Sequence, residues 1–305
     1  MKVLVATDKP FAPVAIDGIR KAVESAGYEL ILLEKYTEKA QLLDAIKEVD
    51  AVIIRSDIID AEVINHAKNL KIIVRAGAGY DNIDLEAAKA KGICVMNTPG
   101  QNANAVAELV FGMIIYQIRN HFNGTSGTEL MGKTLGLHAY GNVARNVARI
   151  ARCFGMTIYA FDPFCPKEVI EKDGVIALES IDELYAKSQY VSLHIPATPQ
   201  TKKSINYTLL DLMPKNAMLI NTARKEVINE EDLLRLMEDR KDFRFVSDIT
   251  PELAPLFIEK FNDRVFFTPK KMGAQTSEAN INAGIAAANQ IVGFLKDGID
   301  KFRVN

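Results

Sequence analysis

The residues of this chain best suited to chemistry lie where short apolar runs end. Between Leu130 and Phe164 the sequence reads LMGKTLGLHAYGNVARNVARIARCFGMTIYAFDPF. Thr134 to Ala139 has the character of a buried strand, Tyr140-Gly141-Asn142 is a glycine turn, and Val143, Val147, Ile150 and Ala151 recur at helical spacing. Gly155 ends that helix, Thr157 to Phe161 reads as a second strand, and Asp162 follows it. Strand, turn, helix, strand and carboxylate, in that order, form the arrangement that holds a dinucleotide. The helix N-terminus offers unpaired N–H groups and partial positive charge to a pyrophosphate. Asp162 can accept from a ribose diol and repels a 2′-phosphate, which favours NAD over NADP. The glycine pattern is altered, with Ala139-x-Gly141-x-x-Ala144 in place of G-x-G-x-x-G/A. Gly141 keeps the close approach to pyrophosphate and Ala144 is a permitted packing residue. Ala139 is expected at negative φ, because it carries a Cβ.

Downstream, the runs Tyr190–His194, Ala217–Asn221, Phe243–Asp248 and Val265–Thr268 read as strands, with Ile181–Ala186 and Glu230–Arg240 among the helices. Each strand ends in polar residues: His194, Asn221-Thr222, Asp248 and Thr268. Ligands of open parallel sheets bind at strand carboxyl ends, so these residues are expected around one crevice. Upstream, VLVAT, ELILL, AVIIR, KIIVR and CVMN alternate with amphipathic stretches such as Ala15–Ala26 and Lys39–Val49, which predicts a smaller parallel-sheet domain. Arg55-Ser56, an arginine and a hydroxyl at a strand end, makes an anion seat. Pro99-Gly100 breaks the pattern, Asn102–Arg119 is a long apolar helix, and His121–Gly127 reads as a loop. The alanine-rich helix Ser277–Gly298 is expected to pack back on the first domain.

A length of 305 residues suggests two domains, and 48% hydrophobic content with a formal charge of −2 describes a globular chain with no call for nucleic acid. A small anionic substrate would need a local basic cluster. Cys94, Cys153 and Cys165 have neither metal spacing nor obvious pairing, so a reducing cytoplasm and no metal are expected. The opening MKVLVATDKP reads as a strand rather than a signal peptide, and no apolar run approaches the roughly 18 residues of a membrane helix.

Five ordered blocks resemble the D-2-hydroxyacid dehydrogenase family: Arg75–Gly100, Gly127–Gly136, His194–Thr201, Asn221–Leu233 and Thr268–Ala279. The resemblance implies an α/β chain of two Rossmann-like domains. The NAD-binding domain (98–276) would be inserted into a flavodoxin-like substrate domain (1–97 and 277–305). Among family members the blocks are most similar to those that oxidise 3-phospho-D-glycerate to 3-phosphohydroxypyruvate at the head of serine biosynthesis. The alternatives are a dehydrogenase for glyoxylate, hydroxypyruvate or another D-2-hydroxy acid, and an inactive NAD-sensing binding protein. A homodimer is implied, with an altered interface because the loop before Gly127 is short. Because the chain stops just past the last helix, feedback through a carboxy-terminal regulatory domain is expected to be absent.

The resemblance also assigns roles. Arg224 in NTAR clamps the substrate carboxylate, a task that suits a planar fork that stays charged. Glu252 partners the acid/base. That acid/base is a histidine in most of the family, but here the text is Thr268-Pro269-Lys270-Lys271-Met272-Gly273, which puts Lys271 in its place with Lys270 as the alternative. Burial and neighbouring Arg224 and Lys270 would favour a neutral lysine, and Glu252 would oppose it. Cofactor contacts fall on Tyr140, Gly141, Asn142, Val143 and Asp162. Others fall on His194, Ile195, Pro196 and Thr201, and on Thr222, Ala223, Asp248 and Gly273, with Asp248 holding the nicotinamide carboxamide. The small phosphorylated 2-hydroxy acid would meet Arg55 and Ser56 with its phosphate. Arg75 and the amides of Ala76, Gly77 and Ala78 would meet its carboxylate, and Asn102 its hydroxyl or phosphate side. Lys225-Glu226 replaces the glycine pair usual after the arginine.

Overall fold

Runs such as VLVA (Val3–Ala6) and AVII (Ala51–Ile54) are apolar on both faces, and every one of their residues is fully buried, as expected of strands covered by helices on both sides. The computed structural model describes all residues, Met1–Asn305, in two units: Met1–Asn102 with Gln275–Asn305, and Ala103–Ala274.

The first unit runs β1 (Lys2–Thr7), α1 (Pro13–Ser25), β2 (Glu29–Glu34), α2 (Lys39–Ala45), β3 (Ala51–Ile54), α3 (Ala61–His66), β4 (Ile72–Arg75), α4 (Leu85–Ala90) and β5 (Cys94–Asn97). Its sheet is parallel with order β2-β1-β3-β4-β5, the flavodoxin-like winding. Asp60 and Asp84 cap α3 and α4 by accepting from Val63 N and Ala87 N. The helix expected over Lys39–Val49 stops at Ala45, and a turn leads to Asp50. The Asp50 carboxylate ties that turn down by accepting from Lys2 N at 2.8 Å and Lys71 Nζ at 2.9 Å.

The second unit runs α5 (Ala103–Ile118), β6 (Thr134–His138), α6 (Asn142–Cys153), β7 (Thr157–Phe161), α7 (Lys167–Lys172), β8 (Ile176–Ala177) and α8 (Ile181–Lys187). It continues with β9 (Tyr190–Leu193), α9 (Tyr207–Asp211), β10 (Met218–Asn221), α10 (Glu230–Asp239), β11 (Arg244–Ser247), α11 (Ala254–Phe261) and β12 (Val265–Phe267). Its parallel sheet has order β12-β11-β10-β9-β6-β7-β8, so the winding reverses between β6 and β9. The expected α/β class with two Rossmann-like sheets is what the chain adopts. The elements α7, β8, α9 and α11 were not anticipated; they span two to eight residues, too few for a periodic pattern to declare itself. Finally α12 (Ser277–Asp297), closed by Gly298 at φ 68°, lies with the first unit, where Ala283, Ala287, Ala288 and Ile291 join Ala15, Ile19 and Val23 of α1 over one face of its sheet.

The turn after β6 departs from expectation. Ala139 stands at φ +77°, in the left-handed region, not at negative φ. Its amide donates to Phe161 O at 2.9 Å and the next amide, Tyr140 N, donates to Asp162 Oδ2 at 2.8 Å. Those two bonds to β7 and its end dictate the backbone path, and the Cβ of Ala139 bears the strain. Ala139→Gly is therefore expected to raise stability by roughly 0.5–1 kcal/mol, after the extra backbone entropy of glycine is subtracted. A urea midpoint shift measures it.

Candidate active site

The start of α6 carries donors without helical partners, with Gly141 and Asn142 exposed, Val143 partly buried and Ala144 buried. Its N-cap, Gly141, supplies no side-chain acceptor, and the first turn holds no acidic residue. The amides of Asn142, Val143 and Ala144 therefore meet no partner within the helix. At Gly141 no atom lies within 4 Å of where a Cβ would stand, so the space over the turn is open. Open amides, the positive end of a helix and an open approach suit a pyrophosphate. Asp162 fixes this geometry with both oxygens, accepting from Tyr140 N and, through Oδ1, from Phe164 N at 2.8 Å. The Tyr140 ring is buried and its hydroxyl donates to Asp173 Oδ2 at 3.1 Å, so Tyr140 offers a ligand little beyond its carbonyl.

At the winding reversal, adjacent strands β6 and β9 end in His138 and His194, and His194 N donates to His138 O at 3.0 Å. His138 Nδ1 meets the hydroxyl of fully buried Tyr185 at 3.2 Å. Burial pushes the imidazole of His138 down to about 4 and that of His194 to about 3, where neighbouring His138 adds to the shift. Both rings are neutral at ordinary pH. His194 Nε2 is buried without a partner, and so is Oγ1 of Thr222 at the end of β10. Orphaned polar atoms at strand carboxyl ends are what a crevice awaiting a polar ligand presents. Nothing in the sequence pattern announced the His138–Tyr185 pair, since Tyr185 falls on the apolar stripe of α8.

The remaining residues of the second unit divide into those that hold loops and those that face outward. Asn221 accepts from Ala223 N at 2.9 Å and donates to Arg224 O at 3.0 Å, which sets the backbone of Arg224; the Arg224 guanidinium is half-buried and donates to Ala223 O at 2.9 Å. Thr201 uses its hydroxyl within the Ile195–Thr201 loop, donating to Pro196 O at 2.6 Å. Ile195 is buried and Pro196 exposed. Asp248 is completely buried and serves as a loop anchor. It accepts from Thr268 Oγ1 at 2.9 Å, Met272 N at 2.7 Å and Gly273 N at 2.8 Å. A Cβ at Gly273 would stand 3.0 Å from Asp248 Oδ2, so a side chain there would press on this anchor. This anchor positions the Pro269–Met272 loop carrying Lys270 and Lys271.

Both lysines are exposed, so the burial expected around Lys271 is not found. Glu252 is also outward-facing; its Oε1 accepts from Lys225 Nζ at 2.9 Å, and that pairing holds its carboxyl below the usual range. Lys225, the residue replacing a glycine, is thus the partner of Glu252.

In the first unit, Arg55 lies at the end of β3 and is extensively engaged. NH1 donates to Lys9 O at 2.9 Å and Pro10 O at 3.2 Å, NH2 donates to Asn280 Oδ1 at 2.6 Å, and Cζ sits 5.1 Å over the Phe11 ring. Ser56 beside it is exposed and Asn102 half-buried. Arg75 Nε donates to Arg55 O at 3.0 Å, and its guanidinium covers Gly77 so closely that any Cβ there would collide with NH1. The three amides expected to hold a carboxylate are not all available. Ala76 N donates to Ile54 O at 2.8 Å and Gly77 N to Arg75 O at 2.9 Å, which leaves Ala78 N. Ala76 continues the β4 ladder one residue beyond Arg75.

Residues 4–305 match the D-isomer specific 2-hydroxyacid dehydrogenase catalytic domain. The chain belongs to this family. A D-3-phosphoglycerate dehydrogenase of Methanocaldococcus jannaschii is 37% identical over 282 residues, 88% of this chain and 54% of that protein. A hydroxypyruvate reductase of Thermotoga maritima is 37% identical over 283 residues, covering 86% and 90%. Among solved structures, cofactor (NAD+)-bound 3-phosphoglycerate dehydrogenase of Entamoeba histolytica shares 48% identity at a TM-score of 0.88, covering 100% of this chain and 98% of that one. The chain spans about half the length of the Methanocaldococcus relative. No helix is long and apolar enough to cross a membrane.

The neutral histidines make stability depend on pH with a definite sign. An unfolded chain protonates His138 and His194 near the ordinary value of about 6.5, while the folded chain resists until about 4 and about 3. Their contribution is intact above about pH 6.5 and is lost as pH falls from there toward about 3, because the unfolded state binds more protons in that window. Urea midpoints are expected to fall across it, with a shallower slope in His138→Leu.

Proposed function

We propose that this chain is an NAD-dependent dehydrogenase that oxidises 3-phospho-D-glycerate to 3-phosphohydroxypyruvate, opening serine biosynthesis. The observation that carries the reading is the 48% identity to the Entamoeba 3-phosphoglycerate dehydrogenase over the full length of this chain. The open amides of α6 and the orphaned His194 and Thr222 atoms support the dinucleotide. Bound NAD supplies the acceptor for the hydride leaving substrate C2. Arg224 holds the substrate carboxylate bidentately, with the Ala78 amide as a second donor. Lys271 exchanges the hydroxyl proton, with Lys270 as its alternative. His194 suits that task less well, because burial disfavours the imidazolium that taking up the hydroxyl proton would create.

Oxidation needs the lysine neutral, whereas reduction uses the ammonium as it stands. Bringing a lysine from ~10.4 to near 8 takes about 3 kcal/mol of destabilisation of the charge. Exposed Lys271 receives no such help from burial in its own unit, so covering by bound ligands must supply it. Oxidation is therefore favoured at alkaline pH.

Three free cysteines support a reducing cytoplasm. We also propose a homodimer, on the strength of the family resemblance. One observation favours a second reading. Arg55 already has three internal hydrogen bonds, so a phosphate would have to compete for it, as it would not in a hydroxypyruvate or glyoxylate reductase.

The test follows NADH formation from 3-phosphoglycerate between about pH 7 and about pH 10. The rate is expected to climb with pH and to fall about 100-fold or more in Lys271→Ala, with Lys270→Ala within a few-fold of the parent. Arg224→Ala is expected to lose about 100-fold or more in kcat/KM. A Lys271→Ala variant within twofold of the parent would sink the lysine assignment. Absence of turnover with every 2-hydroxy acid tried would sink the enzyme reading itself.

A further inference from the structure

Beside the Asp162 turn lies a cavity of about 620 Å³ lined by Arg145, Asn146, Arg149, Arg152, Lys172 and Asp173. Arg145 stands in the first turn of α6. Its NH1 reaches Asp173 Oδ2 at 3.0 Å, its NH2 lies 4.0 Å from Cys165 Sγ, and its Cζ sits 5.1 Å over the Tyr140 ring. Cys165 N and Phe164 N both donate back to Asp162, to its carbonyl and to Oδ1. The Arg145 guanidinium thus borders the turn whose carboxylate is assigned to the ribose diol.

Charge in this cavity is unbalanced. Arg149 donates to Asn104 Oδ1 at 2.7 Å and Arg152 to the Asp173 carbonyl, so neither meets a carboxylate. Lys172 has no ion-pair partner either. Asp173 is the one acid among four cations, and its Oδ2 also accepts the Tyr140 hydroxyl. A phosphate monoester is the ligand such a set of guanidinium groups seats best. Asp162 would repel a 2′-phosphate, but its oxygens already serve Tyr140 N and Phe164 N, and the cations beyond it would still attract one.

We infer that Asp173 is a specificity-determining residue for the dinucleotide. By pairing with Arg145 it withholds the guanidinium nearest the ribose from a 2′-phosphate, and its own charge adds to that of Asp162 in rejecting NADP. The inference rests on the proposed use of NAD. Arg145 and Asp173 are each 38% exposed, so the pairing is a screened one and its removal has a moderate effect.

Titrating NADH and NADPH while following nucleotide fluorescence reads affinity without turnover. In Asp173→Asn, NADPH is expected to bind about five- to tenfold more tightly while NADH stays within about twofold of the parent. Asp173→Ser should behave alike, which guards against a local packing effect of one substitution. Adding Arg145→Gln to either variant is expected to return NADPH to its parent affinity. Unchanged NADPH affinity in both Asp173 variants, with NADH binding normally, would overturn the inference and leave the NAD reading intact. A parent protein that binds neither nucleotide would overturn the NAD reading first and the inference with it.

Discussion

All seven strands of the Ala103–Ala274 sheet run in one direction, and the rest of the candidate site depends on that constraint. Parallel pairing sends every carboxyl end to the same edge, where the ladder stops and polar groups lose their partners. Reversal of the winding between β6 and β9 keeps the following helices from closing that edge. Asp162, His194, Thr222, Asp248 and Thr268 all stand at it, within two residues of the end of a strand. The two acids answer the constraint in the same way, each spending a carboxylate on backbone amides: Asp162 on the glycine turn and Asp248 on the lysine loop. Rigid anchoring of this kind lets loops carry reactive groups without wandering.

How much of this was legible in the sequence depended on the range of the interaction involved. The strands announced themselves because a parallel strand buried on both faces is a run of Val, Ile and Leu, and the α6 unit because turn, helix and acid have fixed spacing. What lay between distant residues was not legible. The commitment of Ala76 N to Ile54 O comes from strand register, and the pairing of Glu252 with Lys225 from two loops meeting. Neither leaves a local mark. Ala139 is instructive in another way. A rule about side chains and positive φ predicted its backbone, and two hydrogen bonds to Phe161 and Asp162 overrode that rule.

The chemistry assigned to the lysine loop also reflects its surroundings. Burial disfavours the charged form of His194, whereas Lys270 and Lys271 stand exposed. Under the proposed function, oxidation would rely on ligand binding to desolvate the base, which would couple binding to catalysis.

Whether the substrate is a phosphorylated 2-hydroxy acid is tested by comparing kcat/KM for 3-phospho-D-glycerate with that for unphosphorylated D-glycerate under identical NAD and pH. The account predicts a preference for the phosphorylated acid of about 100-fold or more, the scale set by charge-assisted contacts to a phosphate. Equal values, or a preference for D-glycerate, would contradict it and assign the chain to the reductases of unphosphorylated acids within its family.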